Sequence, residues 1–194
     1  MVSRSSRAKR RRKMSTWGIL GCGTIANEMA ETFIKMGHEI YGVSNRTLEK
    51  AEKFAETYGV KHVFKTYEEM LADEKIDIIY IATPHSRHYE NMMQAVKAGK
   101  HVLCEKAITV NAAQLEEVLK LAEKKHVVVR EAMTISHMPL YKKLKERIKE
   151  GAIGKTKMVQ VNFGSNKGYD STNRFFALEA AGGALLDIGV YATS

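Results

Sequence analysis

Residues 17–26, WGILGCGTIA, restrict the fold more than any other stretch, because a short apolar run leads straight into a glycine-rich turn that opens a helix. Gly21, Gly23 and Ala26 have the spacing GxGxxG/A. In that pattern the first glycine makes a tight turn, the second lets a pyrophosphate approach the main chain, and a small third residue lets helix and strand pack closely. The first N–H groups of a helix have no intrahelical acceptor and stand at the positive end of its dipole, so a diphosphate over Thr24 and Ile25 needs no lysine. The anion site is main chain. A strand before the motif and a helix after it point to a dinucleotide-binding domain rather than a bare glycine turn.

A chain of 194 residues can bury a full hydrophobic core, and one domain plus part of a second is the expected content. No apolar run reaches the length of a bilayer span, and no hydrophobic segment follows the basic start. The sequence therefore points to a soluble, cytoplasmic protein with no membrane partner. Cys22 and Cys104 lack CxxC or Cys/His spacing and read as reduced thiols, so no metal site is expected. The net charge of +9 divides unevenly: residues 1–13 hold seven of the 31 Lys/Arg and no acid, leaving 24 basic against 22 acidic residues, or +2. The leader MVSRSSRAKRRRK reads as a disordered basic arm, or as sequence upstream of a start at Met14. The near-neutral remainder argues against a nucleic-acid partner.

From residue 16 onward strand-like and helix-like segments alternate, the pattern of parallel strands joined by right-handed crossovers. The expected fold class is α/β: a Rossmann doubly wound parallel sheet over residues 14–135, followed by the start of an α+β substrate domain over 136–194. Ile25, Met29, Phe33 and Met36 form one face of the first helix, which ends at Gly37; a strand over about 39–44 follows. Leu48, Ala51, Phe54, Ala55 and Tyr58 form the apolar face of the next helix, closed by Gly59. A short strand near 62–64 and a helix near 67–72 precede residues 76–82, IDIIYIA, whose continuous apolar character suits a central parallel strand. Residues 101–104, HVLC, make the next strand. A helix started by Asn111 and Gln114 then carries Leu115, Val118, Leu119 and Ala122, and VVVRE from Val127 closes the series. After a helix near 140–150, the alternating residues 155–163, KTKMVQVNF, read as a first strand of the second domain, short of the partners and cover a strand needs. The chain is expected to stop inside that domain.

In an open parallel sheet ligands bind outside the carboxyl ends of the strands, so the loops after Leu20, Ser44, Ala82 and Cys104 should line one crevice. After the second strand, where a carboxylate usually meets the ribose of NAD, stand Ser44, Asn45 and Arg46. No acid there repels a 2′-phosphate, and the planar fork of arginine matches phosphate oxygens, which favours NADP over NAD. In the loop TPHSRH, Thr83, Pro84 and His88 are expected to shape the nicotinamide side, with His85 and Arg87 on the rim. Glu105 and Lys106 stand where a substrate carbonyl would approach, and Asp187 and Tyr191, four residues apart, share one face of a helix.

GCGTIA at 21–26, ATPHSRH at 82–88, AGKHVLCEK at 98–106 and GGALLDIGVY at 182–191 together carry a resemblance. From Thr16 to its end the chain resembles the glucose-fructose oxidoreductase, inositol dehydrogenase and MocA (Gfo/Idh/MocA) family, and within it the dimeric dihydrodiol dehydrogenase branch. The resemblance implies a catalytic lysine at Lys106 and the branch's tyrosine and accompanying aspartate at Tyr191 and Asp187. Many relatives have histidine in place of Tyr191, and the usual Glu-Lys-Pro triplet is here Glu105-Lys106-Ala107. It further implies a homo-oligomer at full length and an NADP-dependent dehydrogenase that transfers a hydride between nicotinamide and an alcohol or carbonyl of a sugar, polyol or cyclic diol. An ammonium beside a phenol favours the phenolate, so Tyr191, assisted by Lys106 and oriented through Asp187, can exchange the substrate's hydroxyl proton; Lys106 itself is the other candidate. The alternative is a non-catalytic NAD(P)-binding protein or an inactive fragment.

Overall fold

A computed structural model describes residues 15–164 and 166–193. The basic leader 1–13, the start at Met14, Ser165 and Ser194 lie outside the described residues. In chain order the elements are β1 (Trp17–Leu20), α1 (Thr24–Lys35), β2 (Ile40–Ser44), α2 (Leu48–Tyr58), β3 (His62–Phe64) and α3 (Tyr67–Ala72). Next come β4 (Ile78–Ile81), α4 (His85–Lys97), β5 (His101–Cys104), α5 (Ala112–Lys125) and β6 (Val129–Glu131). A one-turn 3-10 segment (Thr134–His137), α6 (Pro139–Lys149), further short turns and α7 (Val190–Ala192) complete the chain.

All the strand pairs are parallel, and the sheet runs in the order β3-β2-β1-β4-β5-β6. That order reverses at β1 and β4, the doubly wound Rossmann arrangement with its crevice at the switch point. Alternate residues of a strand face opposite sides, and the central strands feed two cores accordingly. Leu20 of β1 with Ile79 and Ile81 of β4 pack among Met70, Met92, Val96 and Val118. Ile19 and Tyr80 enter the opposite layer with Ala26, Phe33, Val43 and Phe54. With helices on both faces, these strands have no polar side to show water, which is why they read as unbroken apolar runs.

Local chemistry sets the helix ends. The Asn111 side chain accepts the Gln114 N–H (3.0 Å), while the Gln114 side chain accepts the Val110 N–H (3.4 Å). Thr66 and Glu69 reciprocate the same way, the Thr66 hydroxyl accepting the Glu69 N–H (3.1 Å) and Glu69 accepting the Lys65 N–H (3.0 Å). Each pair satisfies N–H groups that the helix itself leaves unbonded.

Three expectations are corrected. The buried face of α1 is Ala26, Ala30 and Phe33, while Ile25 and Met36 are exposed. Small residues win because α1 must lie close to the sheet beside the glycine turn. Leu119 on α5 is likewise exposed; Val118 and Ala122 hold that contact. Residues 155–163 make no strand pairing, and Met158, Val159, Val161 and Phe163 are exposed. Among the described residues no strand offers this segment a ladder partner; only its end meets other side chains, Phe163 lying edge-on to Tyr191 at 6.0 Å, and a single strand does not stand alone.

Candidate active site

Four main-chain hydrogen bonds line up the carboxyl ends of the strands. Gly21 N–H donates to Ser44 O (2.9 Å), Ala82 N–H to Leu20 O (2.9 Å), Glu105 N–H to Ile81 O (3.0 Å) and Ala132 N–H to Cys104 O (2.7 Å). The loops after β1, β2, β4 and β5 therefore emerge side by side along one edge, the crevice the sequence predicted.

At the phosphate turn Gly21 has φ +100, and a Cβ there would stand 2.7 Å from Ala82 O. Only glycine fits, so this residue sets how closely β1 and β4 approach. Gly23 differs: a Cβ built on it meets nothing within 4 Å, so open space lies over the start of α1. The first turn of α1 contains no acidic residue, and its leading N–H groups at Thr24, Ile25 and Ala26 lack preceding helical carbonyls. Open space, free amides and the positive helix end together fit a pyrophosphate. Asn45 steadies the turn from the β2 side, accepting the Cys22 N–H at Oδ1 (3.2 Å) and donating from Nδ2 to Thr47 O (2.9 Å). Burial pushes the Cys22 thiol up to about 11, against the pull of Lys50, so it stays protonated beside this turn.

Ser44 is fully buried and its hydroxyl donates to Phe64 O (3.1 Å), so its side chain braces β2 against β3. Arg46 is exposed at the loop tip, with its main chain hydrogen-bonded to the Tyr67 hydroxyl. Its side chain is thus open to solvent at the exit of β2.

On the other flank the Lys106 ammonium donates to both Asp187 O and Asp187 Oδ1 (3.1 Å), and it lies 4.9 Å from the centre of the Tyr191 ring. Side-chain exposures of 15% for Lys106 and 20% for Asp187 place the pair largely out of water yet reachable. Residues 81 positions apart in the chain thereby meet. Asp187 sits in a π-helical turn (Leu185–Gly189) that runs into α7, and this geometry keeps Asp187 and Tyr191 on the same side, facing Lys106. Two of three ammonium N–H groups are taken up by Asp187; the third has no hydrogen-bond acceptor among the described residues. The Lys106–Ala107 peptide is cis.

Between the two flanks, Glu105 is buried and accepts the Tyr80 hydroxyl (2.5 Å). Burial raises its carboxyl above the usual range, with Tyr80 and the Lys106 N–H pulling the other way. Pro84 is exposed at the N-cap of α4. The Thr83 hydroxyl accepts from Asn91 Nδ2 (2.9 Å). His88 is not on the crevice wall but beneath it, fully buried, with Nδ1 2.8 Å from Ala107 O and Nε2 2.9 Å from Thr83 O. His85, expected on the rim, is buried instead, because its ring packs edge-on to His88 and lies 3.4 Å from Ala181 O. Arg87 does lie outside, paired with Glu90 at 2.8 Å. Burial holds both imidazoles below their ordinary range. Tyr80 and Asn91 escaped the sequence reading. A phenol in an otherwise aliphatic strand, and an amide three residues after a histidine on one helix face, were the available signals.

Residues 15–133 match the profile of the GFO/IDH/MocA oxidoreductase family, NAD-binding Rossmann fold, and residues 141–194 that of the GFO/IDH/MocA C-terminal domain. Trans-1,2-dihydrobenzene-1,2-diol dehydrogenase of Xenopus tropicalis is 34% identical over 178 residues, covering 90% of this chain and 53% of that protein. D-xylose 1-dehydrogenase (NADP(+)) of Hypocrea jecorina is 37% identical over 206 residues, covering 90% of this chain and 50% of that one. Among solved structures, a 3-ketoreductase from Actinomadura kijaniata in complex with NADP and TDP-benzene superposes with TM-score 0.79 at 25% identity, covering 92% of this chain and 55% of that one. The chain spans about half the length of the relatives it matches.

Proposed function

The chain belongs to the GFO/IDH/MocA family of oxidoreductases, and from that premise we propose that it is the coenzyme-binding part of an NADP-dependent dehydrogenase or reductase acting on CH–OH groups. The observation that carries the reading is the convergence of Lys106, Asp187 and Tyr191 on the same edge of the sheet as the phosphate turn. Gly21, Gly23, Thr24, Ile25 and Ala26 would hold the pyrophosphate, and Arg46 would meet a 2′-phosphate beside Ser44 and Asn45. Thr83, Pro84, Glu105 and Lys106 would flank the nicotinamide, with His88 supporting them from below. A bound nicotinamide supplies the hydride acceptor or donor.

The chain's own residues handle the proton. Asp187 neutralises and aims the Lys106 ammonium, leaving one N–H for the substrate oxygen. That N–H polarises a carbonyl or stabilises an alkoxide, while Tyr191 gives or takes the hydroxyl proton. NADP is supported by the absence of a carboxylate after β2, by Arg46, and by the coenzyme named for the xylose dehydrogenase and bound in the ketoreductase. A sugar, polyol or cyclic diol is the substrate class suggested by the same relatives; a cytoplasmic homo-oligomer is proposed from the sequence and its family resemblance alone.

Side-by-side fluorescence titration with NADPH and NADH, followed by coenzyme-linked turnover of D-xylose and trans-dihydrobenzenediol, tests the reading. NADPH should bind tighter, and Lys106→Met and Tyr191→Phe should each lower turnover by about 100-fold or more. Parental rates in both variants would remove their assigned roles. The uncovered apolar side chains Met158, Val159 and Leu185 favour a second reading, in which the chain is a non-catalytic protein that binds dinucleotide through its Rossmann domain without turning substrate over. NADPH binding with no turnover selects it.

A further inference from the structure

Helix α4 directs His88 and Asn91, three residues apart, to the same side. Asn91 reaches the Thr83 hydroxyl, and His88 reaches two main-chain carbonyls from different loops: Thr83 O after β4 and Ala107 O directly after Lys106. Full burial and the engagement of both ring nitrogens leave His88 no surface for substrate or coenzyme. A neutral imidazole carries a single N–H, so His88 can donate to only one of these two carbonyls, a bond that no aliphatic side chain could replace, and a buried carbonyl without a donor is costly.

We propose that His88 is a positioning residue: by donating its one N–H, at Nδ1, to Ala107 O (2.8 Å) it ties the lysine loop to α4 and so sets where the Lys106 ammonium meets Asp187. The role rests on Lys106 being the working lysine of the proposed function. The rest of that loop is tied elsewhere, Glu105 by Tyr80 and the Ile108 N–H by Glu131 (2.9 Å), so Ala107 is the point at which His88 acts.

Competitive acetylation of lysines, read residue by residue by mass spectrometry on the whole chain, tests this without turnover. Lys106 is shielded by its largely buried ion pair, whereas Lys35, loosely paired with Glu31 at 3.8 Å, has a side-chain exposure of 78% and serves as the exposed reference. Lys100, buried and donating to Asp73 O (2.7 Å) and Ile76 O (2.9 Å) at the opposite ends of the strands, reports on the fold as a whole. His88→Leu removes every donor, and Lys106 should then acetylate about tenfold faster relative to Lys35 with Lys100 still protected, the sign of a local opening. In His88→Asn the amide N–H stands close to the place of the ring Nδ1 and can still donate to Ala107 O, and the Lys106 rate should return to within about twofold of the parent. A Lys106 rate unchanged in His88→Leu overturns the proposal, as does an asparagine variant no better than leucine. Should leucine also unshield Lys100, the decision passes to His88→Gln, whose longer amide places its N–H near the ring Nε2 rather than Nδ1 and so does not replace the bond to Ala107 O. Equal Lys106 rates in the asparagine and glutamine variants then refute the strut. NADPH titration of the parent reads the functional assignment separately, since absent binding would sink that assignment and leave the labelling result standing.

Discussion

A methyl group added at Gly21 would stand 2.7 Å from the Ala82 carbonyl oxygen and 3.0 Å from its carbon, both main-chain atoms at the exit of β4. Neither can swing aside like a side chain. Alanine at φ +100 also carries backbone strain of about 1–3 kcal/mol. Relief requires moving a turn pinned by the Gly21 N–H to Ser44 O bond, and losing that bond adds about 1 kcal/mol. Gly21→Ala should therefore cost about 2–4 kcal/mol in folding stability. Gly23 makes the matched control, because its φ of −79 suits any residue and its Cβ direction is empty. Gly23→Ala should change stability by only about 0.5 kcal/mol, the scale of exchanging glycine for alanine at an N-cap. On the proposed reading the pyrophosphate passes over Gly23, and the methyl group should weaken NADPH by about tenfold or more, equal to about 1.4 kcal/mol. Urea unfolding and NADPH fluorescence titration on both variants separate the two effects. A Gly21→Ala protein within about 1 kcal/mol of the parent would refute the steric argument. Parental NADPH affinity in Gly23→Ala would refute the placement of the phosphates.

Arg46→Ala should weaken NADPH about tenfold and leave NADH within about twofold, because only the 2′-phosphate meets the guanidinium; equal losses in parallel titrations would contradict this. Tyr80→Phe strips Oε1 of the buried Glu105 carboxylate of its donor, leaving only the Lys106 N–H at Oε2 (3.3 Å), and should cost about 1–3 kcal/mol. The loss should be larger at pH 8 than at pH 5, where Glu105 takes up a proton more readily, and urea midpoints at the two pH values check it. Met92→Ala, at a fully buried position among Val96, Val118 and Ile81, should cost about 2–5 kcal/mol by the same assay. His88 sets a pH dependence: burial holds it below the ordinary 6.5, so beneath that pH the unfolded chain binds a proton the folded chain refuses. Its contribution is complete above about 6.5 and shrinks as the pH falls toward the folded value, by up to about 1.4 kcal/mol per pH unit. His88→Gln should flatten the stability profile in that window.

Periodicity and local chemistry are properties of neighbouring residues, and what depends on them alone was legible in the chain. The unbroken apolar run of β4, the caps at Asn111 and Thr66, and the glycine turn between β1 and α1 all belong to this class, and so does the parallel sheet that their alternation implies. Arg46 at the exit of β2 follows from the same topology. Contacts between distant segments were another matter. That Lys106 finds Asp187 across 81 residues came from resemblance, and its geometry, with the ammonium over the Tyr191 ring, came from tertiary packing. His85 and His88 looked like loop histidines because their spacing says nothing about burial; only the closing of α4 onto the lysine loop surrounded them with carbonyls. The segment 155–163 shows the converse, since an alternating pattern states a preference for a sheet but a ladder needs a second strand. Sequence thus determined which segments fold and where the crevice opens, through forces acting over a few residues. Tertiary structure decided which side chains share a site and which are buried beneath it, because burial and long-range hydrogen bonds exist only once remote elements are brought together.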